Sequence, residues 1–281
     1  MLIMFQSINR FLTRCPLHLN EMGFARELWG IRYRYLQYRE QWDDHCRRAR
    51  SVILDAVARC TQRRTAVVFG SGWLHDVPIA QLAASFKKVI LVDLMHPFSV
   101  RWFVTRYRNV ETREADVSEV LVNVWNAVEK RETILPVSRP TMFLEDSEVD
   151  LVVSLNLLSQ LPVMPSWYLN KYAKYPESQV DLFNRQVVEA HLDYLRRLPG
   201  VVCLICDIEL ITRSPTKDEV ARRSTLYGAS MPWDAVEEWE WALVPREPRE
   251  PYHGKYLRVI GVPDVNRRGH VPAVMLPLSV R

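Results

Sequence analysis

Gly70, Ser71 and Gly72 stand directly behind the apolar run 66–69, and Asp93 closes the apolar run 89–92 about 20 residues further on. A glycine has no Cβ, so the backbone can bend sharply behind a strand and come close to a ligand. A carboxylate at the tip of the neighbouring strand can accept both hydroxyls of a ribose, which favours adenosine with a free 2′-hydroxyl. Together these features describe a nucleoside-shaped cleft at the carboxyl ends of strands in an open α/β sheet. Two ligand classes share that geometry. A dinucleotide needs G-x-G-x-x-G, with its pyrophosphate on a helix N-terminus, and here His75 occupies the third glycine position. An adenosine sulfonium carries no phosphate and needs only the close backbone approach and the ribose acid.

Further side chains gather near the same strand ends. His75 and His96 are candidate general bases, because imidazole titrates near neutral pH; the alternative for each is a solvated loop histidine. Asp207 and Glu209 follow the fifth strand and point to opposite sides if it continues, so one of them can face the cleft and orient or deprotonate a nucleophile. Asp93, Asp116 and Asp76 each precede helical stretches, where capping competes with ligand binding. Cys203 and Cys206 have C-x-x-C spacing, but on a strand residues three apart face opposite ways, so they read as small buried hydrophobes and no metal site is expected. His191, on an apolar helix face, reads as a core residue.

The elements that must hold these groups alternate along the chain. Strands are predicted at 66–69, 89–92, 109–113, 149–155 and 201–208. Helices are predicted at 76–85, 97–106, around the stripe Val117, Val120, Leu121, Val124, Trp125, Val128, and at 178–198. The stretch 161–176 reads as irregular or one short helix, and 212–230 as polar. Residues 239–244 and 256–262 pair as a hairpin across a long loop at 245–254. Ahead of the alternation, 1–20 is an arm and 24–60 is helical, with Gly30 a candidate break. The expected fold is therefore α/β: a doubly wound, mostly parallel seven-stranded sheet with an antiparallel C-terminal strand, plus N-terminal helices. Two parts are expected, an arm and helical cap at 1–60 and the α/β domain at 61–281.

Bulk properties bound the partners. The chain has 281 residues, 48% hydrophobic and 25% charged, enough for one large core. Lys+Arg 37 against Asp+Glu 33 gives +4. That balance leaves nucleic acid open, though such binders show a continuous basic face. Arg32, Arg34, Arg39, Arg47, Arg48, Arg50, Arg63 and Arg64 form either a solvated helix face or an anion-facing cap. Five irregularly spaced cysteines and no secretory signal point to a reducing compartment, with the cytoplasm as the default. No apolar run approaches the ~20 residues of a membrane span. Nothing in the pattern fixes an oligomeric state.

From 65 to 262 the chain resembles the class I S-adenosylmethionine-dependent methyltransferases. The resemblance rests on V-V-F-G-S-G-W-L, on V-I-L-V-D ending in Asp93, on E-A-D-V-S-E containing Asp116, on V-D-L-V-V-S-L-N-L-L-S-Q-L-P, and on the closing strand pair. More narrowly, the stretch from Gly70 to Asp93 is similar to a set of uncharacterised bacterial methyltransferase-like proteins. The resemblance implies S-adenosylmethionine as cofactor, with Gly70, Ser71 and Gly72 along its methionine part, Asp93 on the ribose and Asp116 at the adenine amine. Ser154, Leu155 and Asn156 would sit beside the sulfonium and the methyl acceptor. That acceptor is unidentified, a small molecule being favoured. The chain departs from the family pattern at Val68, where an acid is usual, and at Leu74, where a glycine is usual; Asp76 is the candidate replacement carboxylate. Two other readings stand beside methyl transfer: a non-catalytic binding or scaffold relative, and an NAD(P)-dependent oxidoreductase.

Overall fold

The computed structural model describes residues 15–216, 218–245 and 253–266. Most of the expected arm at 1–20, and most of the loop expected at 245–254, lie outside them. The helices are α1 (Leu17–Glu21), α2 (Phe24–Gln37), α3 (Arg39–Arg59), α4 (Ile79–Ser85), α5 (Phe98–Val104), α6 (Leu121–Glu129), α7 (Val163–Tyr172) and α8 (Glu177–Arg197). The strands are β1 (Thr65–Phe69), β2 (Lys88–Asp93), β3 (Val110–Glu114), β4 (Val149–Leu155), β5 (Val201–Arg213), β6 (Glu219–Ser224), β7 (Glu237–Val244) and β8 (Gly254–Val262).

They form one sheet in the order β3-β2-β1-β4-β5-β8-β7, with β6 paired to β5. Strands β1 to β5 run parallel to one another, and β8 lies antiparallel between β5 and β7. The order reverses between β1 and β4, which opens a crevice at their carboxyl ends. β1 and β4 are buried along their whole length, because helices cover both faces. Side chains alternate strictly between two layers. Ala66, Val68, Leu91, Leu151, Val153, Cys203 and Ile205 join α2, α3 and α6 on one face. Val67, Phe69, Val92, Val152, Leu204 and Cys206 pack with the C-terminal half of α8 on the other. Cys203 and Cys206 thus lie in different layers.

Two elements differ from the sequence reading. Among the described residues there are eight strands rather than seven, because β6 forms inside the segment read as polar and β5 runs on to Arg213 to meet it. All of β6 is exposed, so no apolar alternation marks it; cross-strand pairs such as Arg222–Glu209 (2.8 Å) and Arg213–Glu240 hold this corner instead. The N-terminal helical region breaks at Tyr38 rather than Gly30, where the backbone leaves the helical basin (φ −121°, ψ 34°). Within 161–176 the second of the two expected alternatives holds: residues 163–172 form one short helix, whose apolar residues are not confined to one face. Among the N-terminal arginines, Arg47 and Arg48 pair with Asp44, and Arg34 with Glu27. Among the described residues, no helix is long and apolar enough to cross a membrane.

Candidate functional site

The bend after β1 is built by backbone geometry. Gly70 has φ +77°, and a Cβ there would lie 2.5 Å from the Leu155 carbonyl oxygen of the adjoining strand. No side chain fits, so β1 and β4 approach closely at the crevice. Gly72, also left-handed, donates its amide to Asp93 Oδ2 at 2.8 Å, and Leu94 donates to Oδ1 at 2.7 Å. The glycine bend and the acid therefore meet directly. Each carboxylate oxygen keeps acceptor capacity beyond its amide bond. Burial pushes Asp93 up to about 6, against three amide hydrogen bonds, from Gly72, Leu94 and Met95, that favour its charged form.

A strip of half-buried residues runs across the strand ends: Gly70 and Gly72 after β1, Asp93 and Leu94 at the end of β2, Ala115 and Asp116 after β3, Asn156 and Leu157 after β4. Its polar groups are not equally available. Asp116 spends Oδ1 on the amide and hydroxyl of Ser118 and Oδ2 on the amides of Val120 and Leu121, holding the start of α6. Ser71 turns its buried hydroxyl to His96 Nε2 at 2.9 Å, and Ser154 turns its own to His191 Nε2 at 3.0 Å. Burial pushes His96 down to about 4 and His191 to about 3, so both rings are neutral at physiological pH.

The two departures in the glycine motif have structural accounts. Leu74 adopts φ +63°, in the left-handed region that favours glycine. Val68 is fully buried in the apolar layer, and Asp76 instead brings a carboxylate to the crevice, accepting from Asn156 Nδ2 at 2.7 Å.

Helix α2 lies over the bend. Trp73 donates its indole N–H to the Leu28 carbonyl at 2.8 Å, and the Arg32 guanidinium sits 4.7 Å from the Trp73 ring. Tyr35 stacks on His75 at 3.5 Å and 11°, and Arg50 binds the His75 carbonyl. Burial, with help from Arg32, Arg50 and Arg39, lowers His75 to about 4.

Helix α3 contributes a residue that the sequence reading passed over. His45, one turn after Trp42 on the buried face of α3, is 1% exposed. Its ring stacks on Trp241 at 3.9 Å and 9°. Trp239 Nε1 lies 3.1 Å from His45 Nδ1. An indole N–H can only donate, so Nδ1 is the acceptor in that pair. The other ring nitrogen, Nε2, lies 3.1 Å from Asn156 Nδ2 and 3.9 Å from Asp76 Oδ2. Asp207, at the end of the parallel part of β5, lies on the same sheet face by strand alternation. It is 2% exposed and accepts from Ser159 Oγ at 2.6 Å. Burial raises its pKa. Glu209 is engaged elsewhere, on Arg222 and Arg258. The structure thus brings Gly70, Gly72, Asp93 and Asn156 to one crevice, with Asp207 in the cluster next to it. It turns the Ser71, Ser154 and His96 side chains into the core and Glu209 onto the outer corner.

No protein-family model matches the chain, and no curated protein matches it. Among solved structures it is similar to Burkholderia thailandensis 1,6-didemethyltoxoflavin-N1-methyltransferase with bound 1,6-didemethyltoxoflavin and S-adenosylhomocysteine, at 14% identity and TM-score 0.36, over 84% of this chain and 87% of that one. It is similar to DhpI in complex with S-adenosylhomocysteine at 14% identity and TM-score 0.33, over 85% and 95%. It is also similar to the 23S rRNA methyltransferase ErmE at 10% identity and TM-score 0.28, over 78% and 71%.

Proposed function

We propose that the chain transfers a methyl group from S-adenosylmethionine to an acceptor held under α3. The carrying observation is the 2.8 Å bond between the Gly72 amide and Asp93, which unites the backbone bend and the ribose acid in one half-buried strip. The donors present fit an adenosine ligand. Asp93 keeps acceptor capacity for a diol, and Leu94, Ala115 and Leu157 offer apolar surface along the strip for a flat base. Gly70 and Gly72 leave room for a chain passing between β1 and β4.

A dinucleotide fits less well. The chain between Gly72 and the first residue of α4, Ile79, is not helical, so no helix N-terminus faces a pyrophosphate. The third glycine position is His75, already stacked on Tyr35.

The bound cofactor supplies an activated methyl group that needs no metal. The chain's own work is positional. Gly70 and Gly72 shape the approach, Asp93 fixes the sugar, and α2, through Trp29 packed on Trp73, excludes water from the bend. His45 holds the Asp76–Asn156 pair, and the neutral Asn156 side chain stands where β4 meets the acceptor. The reading is tested by calorimetry with S-adenosylhomocysteine and NADH. Saturable binding of the first and none of the second is expected. No binding of S-adenosylhomocysteine at millimolar concentration sinks it and favours a non-catalytic scaffold.

A further inference from the structure

The polar cluster beneath α3 has an electrical imbalance that the fold does not resolve. Asp207 is enclosed, and its Oδ2 has no hydrogen-bond partner. Its other contacts are the Ser159 hydroxyl and the residue's own neighbourhood around Thr225; among the described residues, no Lys or Arg pairs with it. A buried carboxylate without a cation is costly, and folds normally pair it. Two further orphans adjoin the same histidine. Asn156, whose Oδ1 is buried without a partner, touches the edge of the His45 ring, and Trp241, whose indole N–H is likewise buried without one, stacks on its face. The Asn156 backbone amide donates to the Ile205 carbonyl at 2.8 Å, two residues before Asp207, and Val259 is the register partner of both Asp207 and Trp239, so the sheet sets these groups side by side. Trp42 stands edge-on to Trp241 at 4.7 Å, and Trp239 lies on the other side of His45. Two unfilled acceptors, a second carboxylate in Asp76 and a wall of indoles form an environment suited to an organic cation with N–H donors or a polarised onium centre.

We propose that Asp207, with Asn156 and Trp241, forms a subsite for a compact organic cation. This deepens the methyl-transfer reading and rests on it for the identity of the ligands. Two sources supply that chemistry there: an ammonium group on the acceptor, or the sulfonium of the cofactor. In either case the ligand brings the cation for Asp207 that the protein itself does not supply.

The test uses the full chain, with S-adenosylmethionine, S-adenosylhomocysteine, phenethylammonium and its carboxylate isostere 3-phenylpropionate as calorimetric probes. The amine and the isostere are titrated with and without S-adenosylhomocysteine. Wild type is expected to bind the amine and reject the isostere, or to prefer the sulfonium cofactor to its uncharged product. Asp207→Asn is expected to reduce the responsible preference at least tenfold. Loss confined to the amine assigns the acceptor as the source; loss confined to S-adenosylmethionine assigns the cofactor. Ser159→Ala keeps the carboxylate and is expected to keep the cation preference. The proposal is overturned if wild type shows neither preference, or if Asp207→Asn, correctly folded, retains it in full. The wild-type comparison of charge isosteres decides the matter even if Asp207→Asn does not fold. Amine binding without S-adenosylhomocysteine binding would defeat the methyl-transfer reading alone. S-adenosylhomocysteine binding with no charge preference would defeat the cation subsite alone.

Discussion

Asp93→Ala and Asp93→Asn separate two duties of one carboxylate. It receives the amides of Gly72 and Leu94, and in the proposed complex it also receives the ribose diol. A hydrogen bond to a charged group contributes about 1.5–3 kcal/mol. Losing one ribose bond should therefore weaken S-adenosylhomocysteine by at least about tenfold in Kd, and losing both by about a hundredfold or more. The asparagine variant keeps one acceptor oxygen and should fall between. The pH dependence gives a sharper signature. Asp93 is raised from 3.8 to about 6, so the carboxylate protonates as pH falls through about 6. Affinity is expected to be level above pH 7 and to fall toward tenfold per unit below 6. The ligand-free protein should show the opposite slope in stability. A folded-state pKa above the unfolded one means the contribution is fully present below pH 3.8 and lost as pH rises through 6. Its upper bound is about 3 kcal/mol, from about 1.4 kcal/mol per unit. Calorimetry for binding and urea melts for stability, each between pH 5 and 8, measure the two slopes. Asp93→Asn should flatten both. Unchanged affinity in a folded Asp93→Ala protein, or wild-type affinity that ignores pH across this range, would refute the ribose assignment.

Three other perturbations follow from the same geometry. Gly70→Ala places a methyl 2.5 Å from the Leu155 carbonyl in a left-handed backbone; a loss of at least about 2 kcal/mol in denaturant melts is expected, and a neutral result would mean the bend is not fixed as described. Arg64 grips Asp150 through its amide at 2.6 Å and its guanidinium at 2.6 Å, which holds that carboxyl below its usual range. Its stabilisation is present above about pH 4 and lost as pH falls, so Asp150→Asn should cost about 1–2 kcal/mol at neutral pH in urea melts and less in acid. All five cysteines are buried, and burial pushes Cys46 up to about 12 and Cys60 to about 11. A thiol-reactive chromogen should therefore label the native protein slowly and all five sites only after unfolding; one rapid native equivalent would contradict the packing.

How much of this was legible in sequence depended on burial. β1, β2 and β4 announce themselves as unbroken apolar runs because helices cover both sheet faces. The bend at Gly70 and the acid at Asp93 stand out for the same reason, as the first polar or side-chain-free positions after such runs. β6 carries no such mark, since its six residues are exposed and its partner strand meets it through Glu209 and Arg222. His45 was hidden by its company. Trp42, Cys46 and Ala49 give the buried face of α3 an ordinary helical period, and a histidine in that stripe has no sequence mark of its own. Its meaning comes from Trp239, 194 residues further along, and only the sheet order β5-β8-β7 brings β7 under α3. Asp207 is likewise legible only in space, since Ser159, which donates to its carboxylate, lies 48 residues earlier.

The motif positions at 68 and 74 show why residue identity and backbone geometry must be read apart. A leucine in the left-handed basin costs about 1–2 kcal/mol relative to an ordinary conformation. The chain accepts that cost at Leu74 because the loop is held from several sides. The Leu74 amide bonds to the Ser71 carbonyl at 2.9 Å, Trp73 is pinned to α2, and His75 is clamped between Tyr35 and Arg50. Leu74 also packs against the larger core, which a glycine could not do. The turn that glycine usually permits is here imposed by its surroundings, and those surroundings are the N-terminal helices. The bend therefore depends on α2 and α3 for its shape, and in the proposed reaction the same two helices cover the acceptor side. On that reading, cofactor approach and acceptor enclosure are coupled through one structural element rather than assembled from independent parts.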